Sequence, residues 1–512
     1  MPDREHSVRK QEVFIGLVGA AGTDLESVRT FLAESLREVG YASYRVRLSE
    51  LLHGINKGPW SELPDGGPED VRIDRHMDAG DELRRKLRRG DALAGLAVME
   101  VRDFRQAESG QPDQAVLGTA YVLDSLKHPA EVHTLRDIYG PAFILISAYC
   151  PSDKRIDVLA RRIAESRNSP NPNDWRDAAE RLRKKDEFEP GDLYGQNVRG
   201  TFPLADVFVD ASDADAVRKS VERLVETVFG YPFHTPTRDE YGMFLAWAAA
   251  LRSADLSRQV GAAIATDDGD IIAVGTNEVP RARGGLYWAE DACDRRDFRW
   301  GKDTSTRMKE SMLKELLSCL QESGRLAADL EREDADELYE ICRKELKDTQ
   351  VMQVGEFGRS VHAEMAAIAD AARRGVALRG TVLYTTTFPC HNCAKHIVAA
   401  GIERVVYIEP YPKSRARELH SDSISIDGSA TDAEHPVVFK AFVGVAPRRY
   451  IDWFTMPEQR QDQAGKPLAW DRAQARPIWA IDAPRLAYIA EEQGFTRMIE
   501  QQLREKKLLP AQ

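Results

Sequence analysis

At 512 residues the chain is long enough for two to four domains, and 42% hydrophobic with 30% charged residues is the balance of a soluble globular protein. A formal net charge of −12 weighs against a protein that tracks long polynucleotide backbones, which usually needs a basic surface. No run approaches the roughly 18 apolar residues of a membrane span, and the opening MPDREHSVRKQEV has no apolar core of a secretory signal.

Taken in chain order, residues 13 to about 230 alternate apolar strand-like runs with amphipathic helical ones. Val13-Phe-Ile-Gly-Leu-Val18 leads through a glycine-rich turn into a helix from Leu25 to Val39. Further strands are expected at Ala120–Leu123, Ala142–Ile146 and Asp206–Val209, each flanked by helical segments. This is the pattern of a doubly wound parallel sheet. Strand, glycine-rich loop and helix resemble the start of a P-loop nucleotide kinase, which points to Gly19, Gly22, Thr23 and Asp124 as candidate nucleotide-binding residues. The motif is incomplete. Against G-x-x-x-x-G-K-[ST], the segment Gly19–Glu26 sets Asp24, Leu25 and Glu26 over the last three positions. The phosphate-binding lysine is missing and two carboxylates have entered, which would repel phosphate. A kinase-like fold kept for binding, regulation or assembly is therefore expected, with a nucleotide ligand but without phosphoryl transfer. The basic runs Arg84–Arg89 and Arg181–Lys185 read as solvated helix faces. Tyr194–Pro203, polar and glycine-punctuated, reads equally as a functional loop or a well-made turn.

Two prolines in Tyr231–Thr237 place a domain boundary near residue 235. A helix from Asp239 to Asp255 then opens a second domain, 236–455, whose strands are expected at 259–266, 270–275, 381–386, 404–408 and 437–444. A long insert at 278–358, helical and charge-rich from about 305 to 347, reads as a lid, an oligomer contact or solvated decoration. Residues 456–512 read as a helical tail.

The chemistry concentrates in Ser360-Val361-His362-Ala363-Glu364 and Pro389-Cys390-His391-Asn392-Cys393. His-x-Glu followed by Pro-Cys-x-x-Cys is the signature of the zinc nucleobase deaminases. His362, Cys390 and Cys393 supply three of four tetrahedral positions and leave the fourth for water. Glu364, not needed as a ligand, is free to move protons. Each half opens a helix, and Cys390 and Cys393 share one helical face. The competing readings are a structural zinc knuckle, or a core histidine near two reduced cysteines; both leave the adjacent carboxylate unexplained. His391 and His396 are the other imidazoles in reach. Cys150, Cys293, Cys319 and Cys342 follow no disulfide pattern, which fits a reducing cytoplasm.

Around these motifs, Ser257–Ile264, Ala273–Asn277 and Tyr407–Ser414 make residues 238–420 resemble the deoxycytidylate deaminases of the cytidine deaminase superfamily. With its long N-terminal half, the whole chain is similar to bacterial anti-phage dCTP deaminases. The resemblance implies a three-layer α/β/α domain with a five-stranded mixed sheet, Zn2+ as cofactor, and deamination of dCTP, dCMP or both, depleting that pool during infection. It implies a sugar contact from Asn277, next to Thr276, where the residues alone allow a turn asparagine equally. It also implies a homo-oligomer and, for some relatives, restraint by a small RNA. Arg281, Arg283, Lys413 and Arg415 are candidates for the substrate phosphates, each with a solvated surface charge as the alternative. A deaminase of tRNA or single-stranded DNA should show a basic groove with interleaved aromatics, absent here. A nucleotide-sensing scaffold without catalysis would not need Glu364.

Overall fold

The structure, a computed structural model, describes residues 10–55, 59–346, 349–353, 357–410, 414–429, 431, 433–456, 459–481 and 487–509. The chain forms two compact units, Met1–Glu240 with Val443–Gln512, and Tyr241–Phe442. Where the sequence sets residues from 456 apart as a tail, the contacts return everything from Val443 on to the first unit.

In the first unit, strand β1 (Val13–Gly19) is buried along its whole length. Its side chains alternate between faces: Val13, Ile15 and Leu17 enter one core, Phe14 and Val18 the other. Strands β2 (Ala42–Arg47), β3 (Thr119–Asp124), β4 (Phe143–Tyr149) and β5 (Val207–Asp210) run parallel to it in the order β2-β3-β1-β4-β5. The two-residue strand Gly444–Val445 adds antiparallel to β5. Leu32 and Val221, from the helices Leu25–Glu38 and Ala214–Val228, fill the core on one face. Val101, Leu135, Ile499 and Leu503 fill the other, from the helices Ala92–Ser109, Pro129–Tyr139 and Ala487–Glu505. Helices on both faces of a parallel sheet are the doubly wound arrangement. Strand β2 escapes the sequence pattern because it is a half-exposed edge strand whose apolar run is broken by Arg45 and Arg47. The basic run after Arg84 is not wholly solvated either: Arg84 is buried and pairs with Asp81 at 2.9 Å and Glu131 at 2.8 Å.

The second unit is built on a mixed sheet of β6 (Gly261–Ala265), β7 (Ile271–Thr276), β8 (Val382–Thr387), β9 (Arg404–Glu409), β10 (Ile424–Ile426) and β11 (Val437–Ala441). The order is β7-β6-β8-β9-β11-β10, antiparallel on both sides of β6 and parallel beyond β8. Six strands replace the expected five, because three-residue β10 is too short to show a periodicity. In the insert, the helices Thr304–Glu322 and Ala335–Leu346 bury Leu313, Leu317, Leu338 and Tyr339 against one another. That local core separates it from mere decoration. Among the described residues no helix is long and apolar enough to cross a membrane.

Gly275 on β7 lets the helix Ala363–Arg374 approach closely: a Cβ there would strike the Ala363 carbonyl oxygen and the Ala367 amide nitrogen. Both partners are backbone and cannot swing aside. Gly275→Ala is expected to cost about 1–3 kcal/mol by overpacking. Because the displaced helix begins beside His362, chelator competition should also show weaker zinc retention.

Candidate metal centre

Local sequence sets up two helix starts that face each other. His362 precedes the helix Ala363–Arg374 in extended conformation, and Gly375 ends that helix with φ 72°. Strand β8 runs out through Phe388 and Pro389 to Cys390, which caps the helix His391–Ala399 and accepts from the Cys393 N–H at 3.4 Å. His362 Nδ1 then lies 3.2 Å from Cys390 Sγ and 3.3 Å from Cys393 Sγ. The three donor atoms fall within 4.8 Å of one another, and no other such group of three exists among the described residues. One imidazole nitrogen and two sulfurs at this separation fit zinc with a position left over. His391 and His396 stand outside the group.

The group holds a thiolate paired with an imidazolium: the hydrogen bond with Cys390 pushes the His362 imidazole up to about 9. Hydrogen bonding with Cys393 and His362 holds the Cys390 thiol down to about 4. Cys393, sharing that proton in a buried position, is pushed well above the usual thiol range. One thiolate is thus present before any metal arrives. Glu364 is 4% exposed, and its Oε2 lies 3.4 Å from Cys393 Sγ. Burial pushes its carboxyl above the ordinary range. His362, Glu364 and Cys390 line one cavity of about 500 Å³.

Residues 236–409 match the family model for the cytidine and deoxycytidylate deaminase zinc-binding region. Over that region the chain is similar to the cytidine and deoxycytidylate deaminases. One stretch of the chain is 46% identical over 55 residues to the deoxycytidylate deaminase of phage T2, covering 11% of this chain and 29% of that enzyme. The chain therefore spans about three tenths of the length of this relative and its phage T4 counterpart. A probable deoxycytidylate deaminase of Drosophila melanogaster is 28% identical over 225 residues, 43% of this chain and 80% of that protein. The dCMP deaminase structure from cyanophage S-TIM5 overlaps 40% of this chain and 99% of its own, at 17% identity and a TM-score of 0.21.

The other predicted residues of the deaminase domain divide. Asn277 lines the cavity, but its amide already holds the segment before β6: Oδ1 accepts from the Val260 N–H and Nδ2 donates to the Arg258 carbonyl, both at 2.8 Å. One donor and one acceptor site remain on it for a ligand. Thr276 is buried in β7, 3.3 Å from the Val260 carbonyl, and does not line the cavity. Arg281 is exposed, pairs with Asp291 at 2.9 Å and lies outside the lining, as do Arg283 and Arg415. Lys413 falls outside the described residues. The cations that do line the cavity, Arg258 and Lys309, were not singled out from sequence. Arg258 sits inside the Ser257–Ile264 element and could have been; Lys309 is one charge among many on an insert helix.

In the first unit, Gly19, Gly22, Thr23 and Asp124 line a cavity of about 310 Å³. The loop is already engaged by the protein itself. Ala21 N–H donates to the buried Asp186 carboxylate at 2.6 Å. The Lys127 ammonium reaches the Gly19 carbonyl at 2.9 Å and Asp186 at 2.8 Å. Arg45 pairs with Asp124 at 2.6 Å, and Asp24 caps the following helix. An internal carboxylate holds a loop amide of the kind that cradles phosphate in an intact motif.

Proposed function

We propose that the chain is a zinc-dependent deaminase of cytosine deoxynucleotides, converting dCMP, dCTP or both to the uracil nucleotide and ammonia. The observation that carries this is His362, Cys390 and Cys393 grouped beside buried Glu364 at one cavity. The match of residues 236–409 and the deoxycytidylate deaminases among the relatives support the substrate class. Zinc held by His362, Cys390 and Cys393 supplies a hydrolytic nucleophile near neutral pH, bringing the pKa of water to about 7.

Glu364 moves the protons. Its carboxyl, lifted above the ordinary range by burial, accepts the proton of the attacking water and gives it back. It passes that proton to N3 of cytosine as C4 becomes tetrahedral, then carries the proton of the new C4 hydroxyl to the amine, which leaves as ammonia while C4 becomes a carbonyl. Asn277 holds the Arg258–Val260 segment in place and offers its remaining amide sites to the sugar. Depletion of the cytosine deoxynucleotide pool during phage infection is the biological role we attach to this chemistry, on the resemblance of the motifs and the additional N-terminal half.

The deciding experiment incubates purified, zinc-quantified protein with dCMP, dCTP, CTP, deoxycytidine and a cytosine-containing oligonucleotide. Uracil formed from dCMP or dCTP is expected, with loss of activity on chelation and recovery with zinc. Product from the oligonucleotide alone would replace this reading with a nucleic-acid deaminase.

A further inference from the structure

The cavity beside His362 holds few cations. Among its described lining residues Arg258 and Lys309 are permanently positive, facing Asp255, Asp297 and Asp303. Nearly all of these charges are already engaged. Arg258 pairs with Glu409 at 3.1 Å and Asp297 with Arg359 at 2.9 Å. Asp255 accepts from the Ser257 N–H at 2.9 Å and hydroxyl at 2.7 Å. Asp303 caps the helix Thr304–Glu322, accepting from the Thr306 N–H at 2.7 Å.

Lys309 is different. Its one described bond is a long one, 3.4 Å, to the neutral Met352 carbonyl, and no described carboxylate lies within ion-pair reach of its ammonium. It stands near the start of the helix Thr304–Glu322, and Ser305 and Thr306 of that first turn line the same cavity. An ammonium with three donors and one weak bond has capacity for an anion that no described residue supplies.

We propose that Lys309 is a specificity-determining residue that binds the phosphate end of the substrate. The helix Thr304–Glu322 of the long insert, rather than the insert's opening loop with Arg281, then reads whether a cytosine deoxynucleoside is phosphorylated. The inference rests on the deaminase reading of this cavity and adds which substrates the insert favours.

The test compares wild type, Lys309→Ala and Lys309→Arg as full-length, zinc-loaded proteins of matched zinc content and melting temperature. Kinetics are measured with dCMP, dCTP and deoxycytidine, and binding of dCMP and dCTP by calorimetry. In Lys309→Ala, kcat/KM for the better nucleotide relative to deoxycytidine should fall at least about tenfold, as expected for a lost charge-assisted bond. The fall should lie in KM rather than kcat, and Lys309→Arg should restore most of it. An unchanged ratio together with unchanged nucleotide affinity in Lys309→Ala overturns the proposal while the deaminase reading stands. If wild type deaminates none of the three, the deaminase reading fails, and equal nucleotide affinities in wild type and Lys309→Ala would still overturn the role of Lys309.

Discussion

Glu364→Gln should retain one zinc per chain while slowing deamination by about 10²- to 10⁴-fold, the usual share of a positioned general acid–base group. The amide matches the carboxylate in shape and leaves His362, Cys390 and Cys393 in place, so the metal has no reason to leave. It cannot accept a proton and return it, and hydrolytic deamination needs that cycle at water, ring nitrogen and departing amine. Glu364 is buried beside Cys393, and bulk water has little access to substitute for it. Zinc analysis and a uracil assay on one preparation check the point. Turnover within tenfold of wild type would remove Glu364 from the chemistry.

The largest stability effect is expected in the first unit, at Arg105. Its fully buried guanidinium lies 2.9 Å from Glu12 and 3.0 Å from Glu492, while the Tyr121 and Tyr488 hydroxyls donate to Glu12 at 2.9 Å and 2.6 Å. Arg105→Met keeps the aliphatic stem but leaves two carboxylates buried without their cation, which should cost about 3–5 kcal/mol. Desolvation already pushes the Glu492 carboxyl upward. Carboxyls with raised folded-state pKa favour the folded state when protonated, so the deficit should be largest at neutral pH. It should narrow as pH falls toward the ordinary carboxylate range. Removing all three charges together, with Glu12→Gln and Glu492→Gln, should recover much of the loss. Urea unfolding followed in the first unit reads the difference, and a deficit below about 1 kcal/mol would show that the cluster is dispensable.

Sequence carried the site further than it carried its surroundings. His362, Cys390 and Cys393 could be read because each precedes or opens a helix with strong start signals, and metal chemistry restricts donor types and spacing. The buried strands β1, β3, β4, β8 and β9 were legible as apolar runs. Strand β2 was not, because an edge strand tolerates Arg45 and Arg47 and so loses its pattern. Arg84 looked like surface, since its partners Asp81 and Glu131 are matched to it only by tertiary folding. The phosphate question shows the same limit: Arg281 looked apt from its nearness to Asn277 in sequence, but an ion pair with Asp291 holds it elsewhere. Lys309 becomes a candidate only once the insert helix is seen to share the cavity.

The return of residues from Val443 to the first unit has a consequence for biogenesis. Tyr241–Phe442 is one continuous stretch, so every contact it makes within itself becomes available as soon as the ribosome has released that stretch. The N-terminal unit cannot finish, although its first strands emerge earliest. Until the helix Ala487–Glu505 is synthesised, Arg105 lacks Glu492 and the core lacks Ile499 and Leu503. Maturation is therefore expected to reverse the customary N-to-C order, with the middle of the polypeptide settling before its beginning.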